Sequence, residues 1–239
     1  MISQDQLNQL VIKNHTSKIN IYREYCQNLI LSLLYSHPDS TKLLFKGGTA
    51  LKIAYQSPRF SEDLDFDLNH LSNHQLQNLL LNISIGLNNN NLNHEIAEAK
   101  QTTGGYLANF NFSLYKLKFI ISLQASIRKK TASQPNIQLI NNDYIPSYTA
   151  LLLSETNLIA EKIQAALTRA KPRDFFDVYF LLRKNLVPVV LRNKLKLLNQ
   201  KVKTEKLDFK ELKDLLPTSM AILTKNFHQS FITETDKFT

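Results

Sequence analysis

Three aspartates alternate with apolar residues between positions 63 and 68, where the chain reads DLDFDL. Residues two apart in an extended strand share a face, so Asp63, Asp65 and Asp67 are predicted on one face and the apolar residues between them in the core. Carboxylates clustered in this way raise one another's pKa unless a cation lies nearby. Because Mg²⁺ binds one or two carboxylates together with substrate phosphates, the pattern predicts a magnesium or manganese site at Asp63 and Asp65.

A glycine pair, Gly47-Gly48, lies upstream of this strand in a chain that has only five glycines. It follows an apolar run at 43–45, which is typical of a buried strand, and precedes a helix-favouring segment that Thr49 can cap. Unhindered backbone N–H groups and a helix N-terminus both attract phosphate. The glycines and the aspartates together therefore predict a bound nucleoside triphosphate, with the glycines on its phosphates and the aspartates on its metal ion.

Each of these features has a simpler interpretation when it is taken alone. A Gly-Gly pair is usually a turn, and an acidic alternating strand is usually a solvated face. The functional interpretation depends on the two features occurring together, separated by one helix length.

The surrounding pattern predicts a mixed α/β region followed by a helical one. Apolar spacing predicts helices at 22–37 and 73–87, and alternation at 110–114 and 117–123 predicts two strands or one long bent strand. From Leu151 onward the pattern is helical, with breaks before prolines. We therefore expect one α/β domain at residues 1–150 and a helical bundle at residues 151–239.

The bulk composition is that of an ordinary soluble protein of 239 residues with a net charge of +9. No segment has the pattern of a secretory signal or a membrane span, so a cytoplasmic location and no membrane partner are expected. Cys26 is the only cysteine, which excludes an intramolecular disulfide. The segment from Arg183 to the end contains 12 Lys and Arg residues but only 6 Asp and Glu residues. This C-terminal region is a candidate surface for a polyanion such as RNA, although basic proteins without such a partner are common.

Two further clusters have less specific patterns. His70 and His74 lie four apart, but without a further ligand nearby they are predicted to be surface residues. The basic segment at 128–130 fits a solvated loop and a phosphate-contacting patch equally well.

Two blocks of sequence resemble a known family, the AbiEii/AbiGii toxins of the nucleotidyltransferase superfamily. The first is Gly47-Gly48-Thr49-Ala50-Leu51 followed by Arg59-x-Ser61-x-Asp63-Leu64-Asp65-Phe66. The second, EKIQAALTRAKPRDFFDVYFLL at 161–182, is similar to the family's later motif, in which a lysine on one helix precedes Arg-Asp-x-x-Asp at the start of the next.

The resemblance implies a fold, a reaction and a set of residue roles. The fold would be an α/β (α+β) nucleotidyltransferase-type domain with a mixed sheet, followed by a C-terminal helical bundle. Asp63 and Asp65 would hold the metal, and Lys162 and Asp174 would join them from the helical domain in a shared catalytic cleft. Phosphate binding would involve Gly47, Gly48, Thr49, Arg59, Ser61 and Lys162.

The same resemblance implies transfer of a nucleoside monophosphate from an NTP to a hydroxyl group of RNA, at the 3′ end of tRNA. It also implies a growth-arresting toxin with a separate antitoxin protein as partner.

The second block also has a physical interpretation of its own. Lys162 and Arg169 lie seven apart, hence on one helix face, while Asp174 and Asp177 lie three apart in the first turn of the following helix. Acidic residues there complement the helix dipole. For Asp177 we favour that role, or an ion pair with Arg173 or Arg169.

One departure from the wider superfamily concerns a third carboxylate, which many members carry on a neighbouring strand. The candidate strand at 118–124 has none, so either Asp174 or Asp67 substitutes, or only one metal binds well. The missing carboxylate favours an alternative, a non-catalytic nucleotide- or nucleic-acid-binding protein that keeps the fold. A metal-dependent nuclease also fits an acidic cluster, but it accounts poorly for the glycine pair and for Lys162.

Overall fold

The computed structural model describes residues 2–69, 71–127, 134–205 and 207–238. His70 and the basic segment at 128–130 lie outside the described residues, and His74 is exposed. The chain forms two compact units. The strand unit comprises Met1–Gln56 and Phe60–Ser154, and the helical unit comprises Ser57–Arg59 and Glu155–Thr239.

The division between the units follows Ser154, and the domain boundary predicted from the sequence lies near residue 150. Residue 150 lies inside a strand, Tyr148–Leu152. Its sequence, YTALL, is mainly apolar, and so is the start of the helical region that follows. Three residues from the middle of the first block, Ser57–Arg59, belong to the helical unit.

The strand unit contains a seven-stranded mixed sheet with the order β3-β4-β5-β2-β1-β7-β6. The strands are β1 Leu43–Lys46, β2 Leu64–Leu68, β3 Asn93–Thr102, β4 Gly105–Leu114, β5 Leu117–Ile127, β6 Asn136–Ile140 and β7 Tyr148–Leu152. β2 pairs with β5, and β1 with β7, in parallel, while the other pairs are antiparallel. Thr103 and Gly104 form the turn between β3 and β4.

The helices of this unit are α1 Gln4–Lys13, α2 Lys18–Tyr35, α3 Gly47–Tyr55 and α4 Asn73–Asn89, with a 3₁₀ helix at Pro38–Lys42. Serines start three of them: Ser3 and Ser72 form capping boxes with Gln6 and Gln75, and Ser17 accepts a hydrogen bond from the Asn20 backbone N–H. None of the described helices is long and apolar enough to cross a membrane.

The main core lies on one face of the sheet. Alternate residues of β4 and β5 are buried there, among them Phe110, Phe112, Phe119 and Ile121, and α2 contacts both β5 and α4. On the opposite face the same strands carry polar residues that are at least partly exposed: Asn109, Asn111, Ser113, Ser122 and Gln124. This alternation is the one expected for a sheet covered on a single face.

The helical unit consists of α5 Glu155–Thr168, α6 Pro172–Arg183, α7 Leu195–Thr204, α8 Ala221–Lys225 and α9 Phe227–Asp236, with 3₁₀ helices at Val189–Lys194, Phe209–Leu215 and Thr218–Met220. The helices break at the predicted prolines, and Pro172 occupies the first turn of α6. Aromatic residues pack in the core of this unit. The ring centroids of Phe209 and Phe227 lie 4.3 Å apart, and Phe175 packs edge-on against Phe231.

Candidate functional site

The glycine pair and the acidic strand, separate in sequence, lie against each other in the strand unit. Gly47 has φ +83°, a conformation that favours glycine, and a Cβ added there would overlap the Asp65 side chain, with the Asp65 Cβ and Cγ only 2.8 and 2.9 Å away. The glycine therefore does more than form a turn. It makes room for the Asp65 carboxylate beside the backbone at the start of α3.

A second contact joins the same two segments. The Thr49 hydroxyl donates a hydrogen bond to the backbone carbonyl of Asp63. Thr49 was predicted as the helix cap, but the residue at that position is Lys46, whose side chain forms no capping hydrogen bond. The first backbone N–H groups of a helix have no acceptor within the helix, so this turn offers donors beside Asp63 and Asp65.

Asp67, the third aspartate of the strand, has a different environment from the first two. Asp63 and Asp65 are partly exposed, whereas the Asp67 side chain is 3% exposed and forms an ion pair with Lys46, whose side chain is 10% exposed. Burial of a charge requires such a partner. Asp67 is thus compensated within the protein, whereas Asp63, directly before β2, and Asp65, within it, are the partly exposed aspartates of this segment.

The pair of carboxylates fits a magnesium ion whose remaining ligands come from elsewhere. Among the described residues no group of three or more His, Cys, Asp or Glu side chains is placed to hold a metal. Mg²⁺ is commonly held by one or two carboxylates plus water and substrate phosphates. Backbone N–H groups that could bind such phosphates lie at the adjacent start of α3. Asp63 and Asp65 could therefore hold the ion once a nucleotide is bound.

The neighbouring strand carries a neutral amide beside this site. In the parallel register of β2 and β5, Asp65 lies opposite Gln124, and on the other side of β2 it lies opposite Lys46 of β1. Gln124 is exposed. The strand next to the acidic one thus has an amide at the position where a third carboxylate would adjoin Asp65.

A cluster of charged residues in the helical unit, Arg59, Lys162 and Asp177, is almost completely buried. Arg59 contacts the Asp177 carboxylate through Nε at 2.7 Å and Nη2 at 2.9 Å, and Lys162 Nζ lies 2.8 Å from Asp177 Oδ2. Burial acts to raise the pKa of Asp177, but the two cations outweigh burial and lower it to about 2. Asp177 therefore carries a full negative charge at neutral pH and holds both cations in place.

Asp174, predicted to complete the catalytic site, lies in the first turn of α6. Its carboxylate accepts hydrogen bonds from Arg169 Nε at 2.8 Å and Nη2 at 2.6 Å, and from the Lys171 backbone N–H at 3.2 Å. Asp174 is fully buried, whereas half of the Arg169 side chain is exposed. The contacts make Asp174 a cap of α6, and its catalytic role stays a prediction.

The structure therefore distributes the predicted residues over three groups. Gly47, Thr49, Asp63 and Asp65 lie together in the strand unit, Arg59 and Lys162 share Asp177 in the helical unit, and Asp174 pairs with Arg169. Ser61 belongs to the strand unit, where its backbone carbonyl accepts a hydrogen bond from Gln27 Nε2 at 3.0 Å.

Sequence reasoning missed the partners of the buried charges. It expected Arg173 or Arg169 beside Asp177, but the ion pairs are with Arg59 and Lys162. Arg59 lies 118 residues from Asp177 in the chain, and no local spacing signals that pair. Lys46 was not singled out, although a lysine directly before a glycine pair and an apolar-flanked Asp67 were both visible.

Comparison with known proteins gives a family and two similar structures. A family model described as the nucleotidyl transferase AbiEii toxin of a type IV toxin–antitoxin system matches residues 30–236. The crystal structure of JHP933 from Helicobacter pylori is similar, with a TM-score of 0.64, 22% sequence identity and coverage of 93% of each chain. A second H. pylori structure, of a protein inferred to be a nucleotidyltransferase, has the same TM-score and identity and is matched over 95% of its length.

A comparison with curated proteins gives no match. At 22% identity the two structures bear on the fold alone. Together with the family match, they confirm the predicted fold class, an α/β nucleotidyltransferase-type fold with a mixed sheet and C-terminal helices.

Proposed function

Because the chain belongs to the AbiEii nucleotidyltransferase toxin family of type IV toxin–antitoxin systems, we propose that it transfers a nucleoside monophosphate to RNA, at the 3′ end of tRNA. The observation that carries the proposal is the packing of Gly47 against Asp65. It joins a candidate phosphate site to a candidate metal site, and a nucleotidyl transfer needs both.

In the proposed reaction a hydroxyl oxygen of the RNA attacks the α-phosphorus of a nucleoside triphosphate. The bond from that phosphorus to the oxygen bridging to the β-phosphate breaks, pyrophosphate leaves, and the hydroxyl proton passes to solvent. The backbone N–H groups at the start of α3, beginning with Gly47 and Gly48, bind phosphate oxygens, and the contact of Thr49 with Asp63 keeps this turn beside the carboxylates.

Asp63 and Asp65 are the proposed holders of a divalent ion, Mg²⁺ or Mn²⁺. Such an ion, when bound, supplies positive charge that neutralises the charge developing on the phosphate oxygens. The partial exposure of both aspartates supports this assignment, because a carboxylate that solvent can reach is also accessible to a solvated metal ion.

Lys162, Arg59, Ser61 and Asp174 remain proposed contributors to nucleotide binding and catalysis. Lys162 and Arg59 both form ion pairs with Asp177. A phosphate that binds to either cation would therefore share that cation with the Asp177 carboxylate. The basic C-terminal region is the proposed RNA-binding surface. As a member of a type IV toxin family, the protein would have an antitoxin as its partner.

The test is incubation of the protein and Mg²⁺ with unfractionated bacterial tRNA and each of the four α-³²P-labelled triphosphates in turn. We expect label in tRNA with at least one nucleotide, and a loss of at least about 100-fold in Asp63→Asn and in Asp65→Asn, each still folded. Wild-type activity in either variant would remove the assignment of the metal site.

One observation favours a second function, a non-catalytic protein that binds nucleotide or RNA. Gln124, a neutral amide, lies opposite Asp65 on the neighbouring strand, which has no third carboxylate at residues 118–124. Nucleotide binding without transfer of label to tRNA or to total RNA would support this second function over the first.

A further inference from the structure

We infer that Gln124 binds and orients the acceptor hydroxyl, which makes it a specificity-determining residue of the reaction. The inference rests on the proposed function, because it concerns the second substrate of that reaction. It uses the position of Gln124 in the sheet, its exposure and the chemistry of an amide.

Gln124 shares a face of the sheet with Asp65. The register pairs Leu64 with Leu123, Asp65 with Gln124 and Phe66 with Ala125. The four apolar residues are buried, while Asp65 is partly exposed and Gln124 exposed. Since side chains of paired residues lie on the same side of a sheet, and neighbouring strands are about 4.8 Å apart, the amide is a direct neighbour of the carboxylate.

The order of the strands separates the two neighbours of Asp65. In the order β5-β2-β1, the glycine turn follows β1 on one side of Asp65, and Gln124 lies in β5 on the other. In nucleotidyl transfer the attacking and leaving oxygens are roughly in line across the phosphorus. If the triphosphate lies on the glycine side, the acceptor hydroxyl approaches from the β5 side, where Gln124 is.

The chemistry of the side chain suits a hydroxyl group. The Gln124 amide has an NH₂ group and a carbonyl oxygen. It can therefore donate a hydrogen bond to the hydroxyl oxygen or accept one from the hydroxyl group. Being neutral, it adds no charge to the two carboxylates already present. A hydrogen bond between neutral groups contributes only modestly to binding free energy. Loss of the amide is therefore predicted to raise KM for the acceptor RNA about threefold to tenfold and not to abolish the reaction.

The experiment measures initial rates of transfer at varied concentrations of tRNA and of the nucleotide that the wild type incorporates. The variants are Gln124→Ala, which removes the side chain, and Gln124→Met, which keeps its length without the amide. Gln138→Ala is the matched control, a strand glutamine in β6 at the far edge of the same sheet. We expect both Gln124 variants to raise KM for tRNA about threefold to tenfold and to leave KM for the nucleotide within about twofold.

The outcomes separate this inference from the function on which it rests. A wild type that labels no tRNA removes the proposed function and the role of Gln124 with it. A wild type that labels tRNA, with KM for tRNA unchanged in both Gln124 variants, overturns the inference alone. Recovery of the wild-type KM by Gln124→Met, or an equal effect of Gln138→Ala, also overturns it, because the amide would then not be the group that binds.

Discussion

The two units each contain a charged group of residues, and the groups differ in burial. The acidic edge, formed by Gly47, Asp63 and Asp65, has partly exposed carboxylates beside backbone N–H groups. The buried charge cluster is formed by Arg59, Lys162 and Asp177, whose side chains are 4%, 9% and 1% exposed, and both cations contact the Asp177 carboxylate. Similar residue types thus occur in two opposite environments.

This difference predicts different roles for the two groups, a ligand site at the acidic edge and a structural role for Asp177 in the buried charge cluster. A buried ion that loses its partner has no water to replace it, so breaking such a pair is strongly destabilising. A carboxylate at the surface can exchange water for a metal ion or a substrate at little cost to stability. Burial, more than residue type, therefore distinguishes Asp65 from Asp177.

The largest effect is expected from matched Asp→Asn substitutions in the two groups. Asp177→Asn removes the charge that compensates Arg59 and Lys162, and should lower the free energy of unfolding by about 3 to 5 kcal/mol. Asp65→Asn should change it by less than about 1 kcal/mol, because its carboxylate is partly exposed. Urea unfolding followed by circular dichroism measures both. Equal losses in the two variants would contradict the distinction drawn from burial.

A second prediction concerns the room that Gly47 leaves for Asp65. Gly47→Ala adds a Cβ where the Asp65 carboxylate lies and strains a backbone at φ +83°, so nucleotidyl transfer should fall about 100-fold through displacement of the carboxylate. Gly104→Ala is the control, since nothing lies within 4 Å of a Cβ there. Transfer rates measured on the folded variants decide the matter, and full activity in Gly47→Ala would show that Asp65 is not held by this contact.

The third prediction uses pH to titrate the buried charge cluster. The pKa of Asp177 is lowered from 3.8 to about 2, so its contribution to stability is present above about pH 4 and is lost as the pH falls toward 2. The difference in pKa corresponds to roughly 2 kcal/mol. The gap in unfolding free energy between wild type and Asp177→Asn should narrow by about that amount between pH 4 and pH 2. A gap that stays constant over this range would show that Asp177 does not titrate there.

Much of the fold was predictable because local patterns agree with it. The alternation of Asp63 to Leu68 predicted strand β2, Leu64–Leu68, and prolines marked the helix breaks. A helix after the glycine pair was also predicted, although α3 begins at Gly47 and not at Thr49. The β4–β5 hairpin was harder, since its turn residues Tyr115 and Lys116 have φ of 47° and 70°, a conformation usually signalled by Asn or Gly. Strand β7 was missed because the short apolar run 148–152 has no period that separates it from a helix.

The candidate site was predictable only as far as its residues are close in sequence. Gly47, Asp63 and Asp65 fall within one block, and their joint role follows from the block. The ion pair of Arg59 with Asp177 spans 118 positions, and the register that places Gln124 beside Asp65 depends on which strands pair. Such contacts are set by the tertiary fold, so they required the structure.

The smallest effect, and the sharpest test of the comparison, concerns Lys162, which family resemblance assigns to nucleotide binding and the structure places in the buried charge cluster. Lys162→Met keeps the apolar stem and removes the charge. If Lys162 also binds phosphate, nucleotide affinity should fall at least about tenfold, or roughly 1.4 kcal/mol.

Stability should fall by less than in Asp177→Asn, because Arg59 still contacts both Asp177 oxygens. Calorimetric titration with a non-hydrolysable triphosphate and Mg²⁺ measures affinity, and the control Lys184→Met, which removes an exposed lysine directly after α6, should change it by less than about twofold. Unchanged affinity together with a clear loss of stability in Lys162→Met would make the lysine structural, and the nucleotide site would then be limited to the acidic edge.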